Sequence, residues 1–145
     1  ADKVFSRIGI GESDWTWDKN EDLSLPYSGL HITARGLARF GLLFLRGGKW
    51  QDEQVVPAAW VKEAVGPSQT MNPEYGYLWW NNTTGKKSPG TPKDSYAALG
   101  RFANNMLIVP SLDLIVIRQI GEDSQPARKF DMNAIFKTAC DAVEK

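Results

Sequence analysis

The feature that most constrains the fold is a run of strand-like segments near the end of the chain. Tyr96–Leu99, Asn105–Val109 and residues 114–120 are apolar and rich in β-branched or aromatic residues, and the turn Pro110-Ser111-Leu112-Asp113 joins the last two. Because segments separated by so short a turn pair with each other, the sequence predicts antiparallel neighbours. Gly100 stands beside the first strand, where the absence of a side chain lets a ligand approach the backbone.

Helical patterns stand on both sides of these strands. Thr33 is a suitable N-cap for a helix that stops at Gly47-Gly48, and its apolar residues recur at helical spacing: Leu37, Phe40, Leu43 and Phe44. A second helix is predicted from Pro57 to about Val65, and a third over residues 127–143. The order of helices, antiparallel strands and a final helix packed on the sheet predicts an α+β fold.

The remaining segments have weaker patterns. Residues 1–26 are rich in Gly, Asp, Asn and Trp without periodicity, which predicts an irregular arm. Residues 75–81 have the aromatic content of a strand, and the polar segment after them predicts a loop. Six tryptophans suit a carbohydrate platform, but Trp60 lies on the apolar face of a helix and Trp79-Trp80 alternate in this strand, so at least half of the six are predicted to lie in the core.

Composition excludes several classes of function. Seventeen basic residues balance seventeen acidic ones among 145 residues. The chain therefore has no net positive charge to attract nucleic acid or an anionic membrane. Cys140 is the only cysteine and His31 the only histidine, which argues against a disulfide and against most metal sites. No apolar run is long enough to span a membrane, and no motif for a nucleotide is present. We therefore predict no metal and no cofactor.

Candidate catalytic side chains are few. Ser13 lies in GESDW, but Trp15 stands where the second glycine of a G-x-S-x-G elbow is needed, so a turn serine is the favoured interpretation. His31 has the chemistry of a triad base, although a single histidine beside a helix start is more often structural. Arg101 has two interpretations: its guanidinium binds a carboxylate of a ligand, or its guanidinium is solvated at the surface.

Four segments, taken in order, resemble one enzyme family. SGLHITARGLARFGLLFLRGGKW, VVPAAWVKEAV, YGYLWW and YAALGRFANNMLIVPSLDLIVI are similar to the C-terminal part of the β-lactamase-related serine hydrolases. That family includes class C β-lactamases, D-alanyl-D-alanine carboxypeptidases, esterases and 6-aminohexanoate-dimer hydrolases. The resemblance extends over nearly the whole chain from about Val4.

The resemblance implies a catalytic domain with three motifs: an S-x-x-K nucleophile, a Y-x-N motif and a K-T-G-like strand. This chain contains no S-x-x-K and no Y-x-N. The resemblance therefore implies that the chain is the C-terminal part of such an enzyme and is inactive alone. Residues 1–74 would be part of the helical subdomain, and residues 75–145 would carry the strands and final helix of the α/β subdomain.

The resemblance also assigns site residues. Ala98, Leu99 and Gly100 align with the K-T-G triplet, and the backbone N–H of Arg101 would form half of an oxyanion hole. Further contacts to an acyl substrate are expected at the cleft rim and behind the strand, from Tyr27, Ser28 and Asn104 or Asn105. Because Ala98 and Leu99 replace the polar Lys and Thr, an ester, amide or peptide is favoured over a β-lactam as natural substrate.

Partners and location follow from the same resemblance. We expect the chain to bind the missing N-terminal part of the enzyme or to self-associate, because a sheet without its partner elements exposes edges. An exported or periplasmic location is favoured, with a cytoplasmic one still open. The alternative function is a non-catalytic binding module that uses tryptophan side chains and Arg101.

Overall fold

The computed structural model describes residues 3–20, 23–24, 28–120 and 131–143, and it forms two compact units, Ala1–Ala58 and Ala59–Lys145. The first unit holds most of the short strands: β1 (Trp15–Trp17), β2 (Lys19–Asn20), β3 (Leu23–Ser24), β4 (Leu30–Ile32), α1 (Ala34–Leu45), β5 (Lys49–Trp50) and β6 (Glu53–Gln54). The helix α2 (Ala58–Val65) follows, and then β7 (Trp80–Asn81), β8 (Tyr96–Leu99), β9 (Asn105–Val109), β10 (Leu114–Arg118) and α3 (Met132–Asp141). The predicted division into residues 1–74 and 75–145 of a larger enzyme stays a prediction.

The first unit is organised around α1. Thr33 caps this helix as predicted, because its Oγ1 accepts a hydrogen bond from the Gly36 N–H at 3.1 Å. The core beside the helix contains four buried side chains, those of Ile8, Ile10, Leu43 and Val55. Ile8 and Ile10 come from the predicted irregular arm, so that prediction missed two core residues. They belong to a turn too short to give a periodic pattern.

The second unit contains a four-stranded antiparallel sheet in the order β10-β9-β8-β7. In the register of β8 and β9, Ala97 pairs with Leu107 and Leu99 with Asn105. Phe136 and Cys140 of α3 are buried in one cluster with Ala97, Leu107 and Val109. The predicted α+β fold, an antiparallel sheet with a C-terminal helix packed on it and two helices before it, is confirmed.

The aromatic segment 75–81 departs from the prediction of one strand. Only Trp80–Asn81 is a strand, and Tyr75 joins it through a single bridge. Between them the Gly76 N–H donates to the Trp79 carbonyl at 2.8 Å, and Leu78 has a φ of +64°. These contacts make a tight turn, which alternation of aromatic residues along a sequence does not reveal.

The prediction that at least half of the six tryptophans lie in the core is wrong. Trp79, at 5% exposed, is the one that is buried, and Trp60, expected on an apolar helix face, is 48% exposed. Its ring stacks on that of Tyr77 with the centroids 5.4 Å apart and the planes 11° from parallel. This stacking is possible because the turn at residues 75–80 brings Tyr77 beside α2.

The segment between β7 and β8 is built on a buried amide. Asn82 is 2% exposed, and its Nδ2 lies within 3.3 Å of the carbonyl oxygens of Ser88, Thr91 and Pro92. Its Oδ1 accepts a hydrogen bond from the Ser88 N–H at 2.9 Å. The side chain therefore binds backbone groups on both sides of the loop, and it does so beside the Thr91 and Ser95 N–H groups, which also bind the carbonyls of Ser88 and Pro92.

Tyr96 makes the second unit sensitive to alkaline pH. Burial, with a smaller contribution from the charge of Asp94, raises the pKa of Tyr96 above its ordinary value of 10.0. The folded state therefore holds this proton more tightly than the unfolded state. The stabilisation is complete below pH 10 and is lost as the pH rises above that value. We expect Tyr96→Phe to flatten the fall in the free energy of unfolding above pH 10, measured by urea denaturation, while Tyr75→Phe, at a half-buried ring, leaves it steep.

Candidate active-site strand

The predicted site strand ends in a tight connection. β8 ends at Leu99, β9 begins at Asn105, and residues 101–103 between them form a 3₁₀ turn. The Gly100 N–H donates to the Asn104 carbonyl at 2.9 Å and to Asn105 Oδ1 at 3.1 Å. A Cβ placed on Gly100 would lie 2.7 Å from the Asn104 carbonyl oxygen. The glycine is therefore required by the closure of its own turn, a reason that differs from the predicted space for a ligand.

The turn is conformationally strained. Phe102 has a φ of +59° and a ψ of 23°, and Ala103 has a φ of +60°. Residues other than glycine adopt this left-handed region at a cost of about 1–2 kcal/mol each, and a bulky residue such as phenylalanine seldom does so. Strain of this kind persists where neighbouring contacts hold it, and it is concentrated at functional sites.

Two side chains hold the strained turn. Nη1 of Arg118, at the end of β10, donates to the carbonyls of Ala103 at 2.8 Å and Phe102 at 3.3 Å. Asn104 bridges two strand ends, because its Nδ2 donates to the Arg101 carbonyl at 3.2 Å and its Oδ1 accepts from the Ile120 N–H at 2.8 Å. Asn104 thus has a structural contact in the turn, and its predicted contact with substrate stays a prediction.

Arg101 offers a donor at the surface of this turn. Within the described part of the chain, its backbone N–H makes no hydrogen bond. Its guanidinium is exposed, with Cζ 4.6 Å from the centre of the Phe102 ring. The position therefore combines an available backbone donor with a cationic side chain, and both can act on an oxygen with negative charge.

The other residues of the predicted site have the following positions. Ala98 and Leu99 are half-buried on β8 and pair with Met106 and Asn105 of β9. Ser28 is exposed in the first unit, where its carbonyl accepts a hydrogen bond from Trp17 Nε1 at 3.0 Å. Tyr27 lies outside the described residues. The assignment of these residues to one cleft stays a prediction.

The two alternative catalytic candidates also lie in the first unit. His31 Nε2 is 3.1 Å from Asp18 Oδ2, and both side chains are exposed. Ser13 lies in a 3₁₀ turn, Glu12–Asp14, that leads into β1. A nucleophile elbow instead follows a strand and opens a helix. Ser13 therefore has the setting of a turn residue, as the sequence favoured.

Metal and membrane features were sought in the residues that the structure describes. These residues contain no group of three or more His, Cys, Asp or Glu side chains arranged to hold a metal ion. Within the same residues, no helix combines the length and the hydropathy that crossing a bilayer requires.

Comparisons with known proteins were made for the sequence and for the fold. No family model matches the chain. An uncharacterized protein of Alkalihalophilus pseudofirmus is 27% identical over 153 aligned positions, which include 87% of this chain and 46% of the relative. A solved structure described as "Putative 6-aminohexanoate-dimer hydrolase from Bacillus anthracis" matches with a TM-score of 0.53 and 20% identity, covering 68% of this chain and 26% of the other.

The structural match bears on the fold. The 6-aminohexanoate-dimer hydrolases are among the enzymes that the sequence resembles, so the prediction that the chain is part of a β-lactamase-like α+β fold is confirmed. The chain spans less than half the length of the curated relative and about a quarter of the solved chain. At 20% identity the match shows the fold and assigns no role to any residue.

Proposed function

We propose that this chain is the C-terminal part of a penicillin-recognising-type serine hydrolase. The observation that carries the proposal is the available Arg101 N–H on a strained turn at the end of β8. It lies next to the strand that aligns with the K-T-G position of that enzyme family. The similarity of the fold to a 6-aminohexanoate-dimer hydrolase structure supports the same class of enzyme.

The proposed reaction is acyl transfer to a serine followed by hydrolysis. The serine of an S-x-x-K motif, supplied by a segment absent from this sequence, attacks the carbonyl carbon of the substrate. Negative charge then develops on the carbonyl oxygen, and the Arg101 N–H donates a hydrogen bond to it. The alcohol or amine leaves, and water hydrolyses the acyl-enzyme to release the acid. Removing one such donor typically lowers the rate by about 10²–10³-fold.

The proposed substrate follows from the strand beside this donor. Ala98 and Leu99 offer no charged group and no side-chain hydrogen bond to a ligand, which favours an acyl group without a carboxylate at that point. The exposed Arg101 guanidinium is a separate ligand for an anionic substrate group. We therefore propose an ester, amide or peptide as substrate and disfavour a β-lactam.

Labelling with a fluorophosphonate tests the proposal, because the probe reacts covalently with an activated serine. We expect no labelling of the 145-residue chain alone, and labelling on an upstream serine when the complete product of its gene is used. The site is identified by mass spectrometry of the labelled peptide. Stoichiometric labelling of Ser13 or Ser28 would instead support a nucleophile within this chain and would contradict the proposal.

A second candidate function is a non-catalytic binding module. The exposed stacked pair Trp60 and Tyr77 favours it, since aromatic faces at a surface bind ligands by stacking. The labelling experiment separates the candidates. A complete gene product that is folded but unreactive to the probe would favour binding over hydrolysis.

A further inference from the structure

We infer that Arg118 is a positioning residue for the oxyanion-binding donor of this strand, an inference that rests on the proposed function. Arg118 is the last residue of β10 and lies opposite Asn105, the first residue of β9. From there its guanidinium reaches the carbonyls of Ala103 and Phe102 at 2.8 and 3.3 Å. Both carbonyls therefore belong to the residues of this turn that have positive φ.

The contact fixes the two residues that follow Arg101. The Arg101 N–H belongs to the Gly100–Arg101 peptide unit, so Phe102 and Ala103 act on it through the path of the chain. They join Arg101 to Asn104, whose N–H donates to the Arg101 carbonyl at 3.2 Å, and their relaxation to negative φ would displace Arg101 relative to the ends of β8 and β9. The Arg118 guanidinium favours the strained arrangement because its N–H groups bind both carbonyls only while these point toward β10. We conclude that the arginine acts through the turn, without contact with the substrate.

Asn104 supports the same turn from the other side. Its Nδ2 donates to the Arg101 carbonyl, and its Oδ1 accepts from the Ile120 N–H. The turn is therefore held by different groups before and after the Arg101 N–H. The Gly100 N–H is bound by the Asn104 carbonyl and Asn105 Oδ1. The Arg101 carbonyl is bound by Asn104, and the carbonyls of Phe102 and Ala103 are bound by Arg118. Within the described residues the Arg101 N–H makes no hydrogen bond, and the same holds for the N–H groups of Phe102 and Ala103 in this turn.

The sequence contains a weak signal for this role. In the strand LIVIR a cationic residue follows four apolar ones, at a position that would otherwise continue the apolar run. A charged strand end is usually solvated, and the pattern alone did not single out Arg118. Only the hydrogen bonds across the sheet to residues 102 and 103 distinguish it.

The test compares Arg118→Met with Arg118→Lys in the complete gene product. Methionine keeps an apolar stem and removes the donors, whereas lysine keeps a cationic donor that can bind the same carbonyls. With an uncharged ester, we expect R118M to lower kcat by about 10–100-fold with KM changed less than about twofold, the loss expected for a misplaced catalytic donor. R118K should retain most of the turnover. Lys86→Met, at an exposed lysine outside this turn, is the matched control and should be unchanged.

A second measurement separates positioning from general loss of stability. Alanine-labelled protein gives the ¹³Cα and ¹³Cβ chemical shifts of Ala103, which respond to the sign of φ, and R118M should move them. The double variant R118M/A103G should recover part of kcat, because glycine adopts positive φ without steric cost. If R118M lowered kcat only by destabilising the whole protein, adding A103G would not restore kcat.

Two outcomes would overturn the inference while leaving the proposed function intact. They are an active enzyme in which R118M has the parental kcat, and an R118M variant that loses kcat while the Ala103 shifts stay the same. A complete gene product that folds without any hydrolase activity would instead remove the proposed function and the catalytic role of Arg118 with it. The Ala103 shifts would then still show whether Arg118 holds the turn.

Discussion

Replacing Arg101 by proline is expected to lower kcat/KM of the complete enzyme toward an uncharged ester by about 10²–10³-fold, the usual cost of removing one oxyanion donor. Proline lacks the backbone N–H, and this N–H has no acceptor within the described residues. Within the described part of the chain, the folded state therefore loses no hydrogen bond of its own. The expected effect is on the transition state and not on stability.

The backbone around Arg101 is compatible with this substitution. Arg101 is not among the residues with positive φ, so the fixed negative φ of proline requires no change of sign there. Gly100 before it is extended, with a φ of −104° and a ψ of 171°, which is the region that the residue before proline prefers. We expect the midpoint of thermal unfolding to change by no more than a few degrees, measured by circular dichroism.

Arg101→Ala is the matched control, because it removes the guanidinium and keeps the N–H. Turnover of the uncharged ester should stay within about threefold of the parental value, whereas an anionic ester should bind more weakly if the guanidinium contacts it. Equal and large losses in both variants toward the uncharged ester would show that the side chain carries the effect. Parental activity of R101P would show that this turn does not form the oxyanion hole.

The sequence predicted the regular elements of the second unit more completely than its site. Tyr96–Leu99 and Asn105–Val109 are strands within the predicted bounds, because strongly apolar segments beside a sharp turn have few alternatives. The strained turn between them was not predicted, since Phe102 and Ala103 are residues that rarely adopt positive φ. Local preference was overridden there by contacts with Arg118, a residue 15 positions away from Ala103.

Contacts between residues far apart in the sequence also explain the other differences between the predicted and the observed structure. Ile8 and Ile10 gave no periodic pattern, yet both are buried beside α1. The continuous strand predicted over residues 75–81 is interrupted because Gly76 lies against the carbonyls of Ala64 and Gly66. Nothing within either short segment specifies such a neighbour. The resemblance to an enzyme family supplied the alignment of Gly100 and Arg101, and the geometry of the turn adds the physical reasons for their conformations.

Replacing Asn82 by alanine is expected to lower the free energy of unfolding by about 3 kcal/mol, because buried backbone groups left without partners cost about 1–3 kcal/mol each. The amide is a partner of the Ser88 N–H and of the carbonyls of Ser88, Thr91 and Pro92. The carbonyls of Ser88 and Pro92 also accept from the Thr91 and Ser95 N–H groups, so the Ser88 N–H and the Thr91 carbonyl are the groups that lose their partner. Alanine offers none of these hydrogen bonds, and the site is too buried for bulk water to replace them. The loss is measured by urea denaturation followed by tryptophan fluorescence.

Asn82→Asp refines the test. The carboxylate still accepts from the Ser88 N–H, but it has no donor for the three carbonyls and places a negative charge beside them. We therefore expect a loss at least as large as that of the alanine variant. Asn133→Ala, at an exposed position in the first turn of α3, is the matched control and should change the free energy by less than about 0.5 kcal/mol. Equal stability of N82A and N133A would mean that residues 82–95 do not depend on the buried amide.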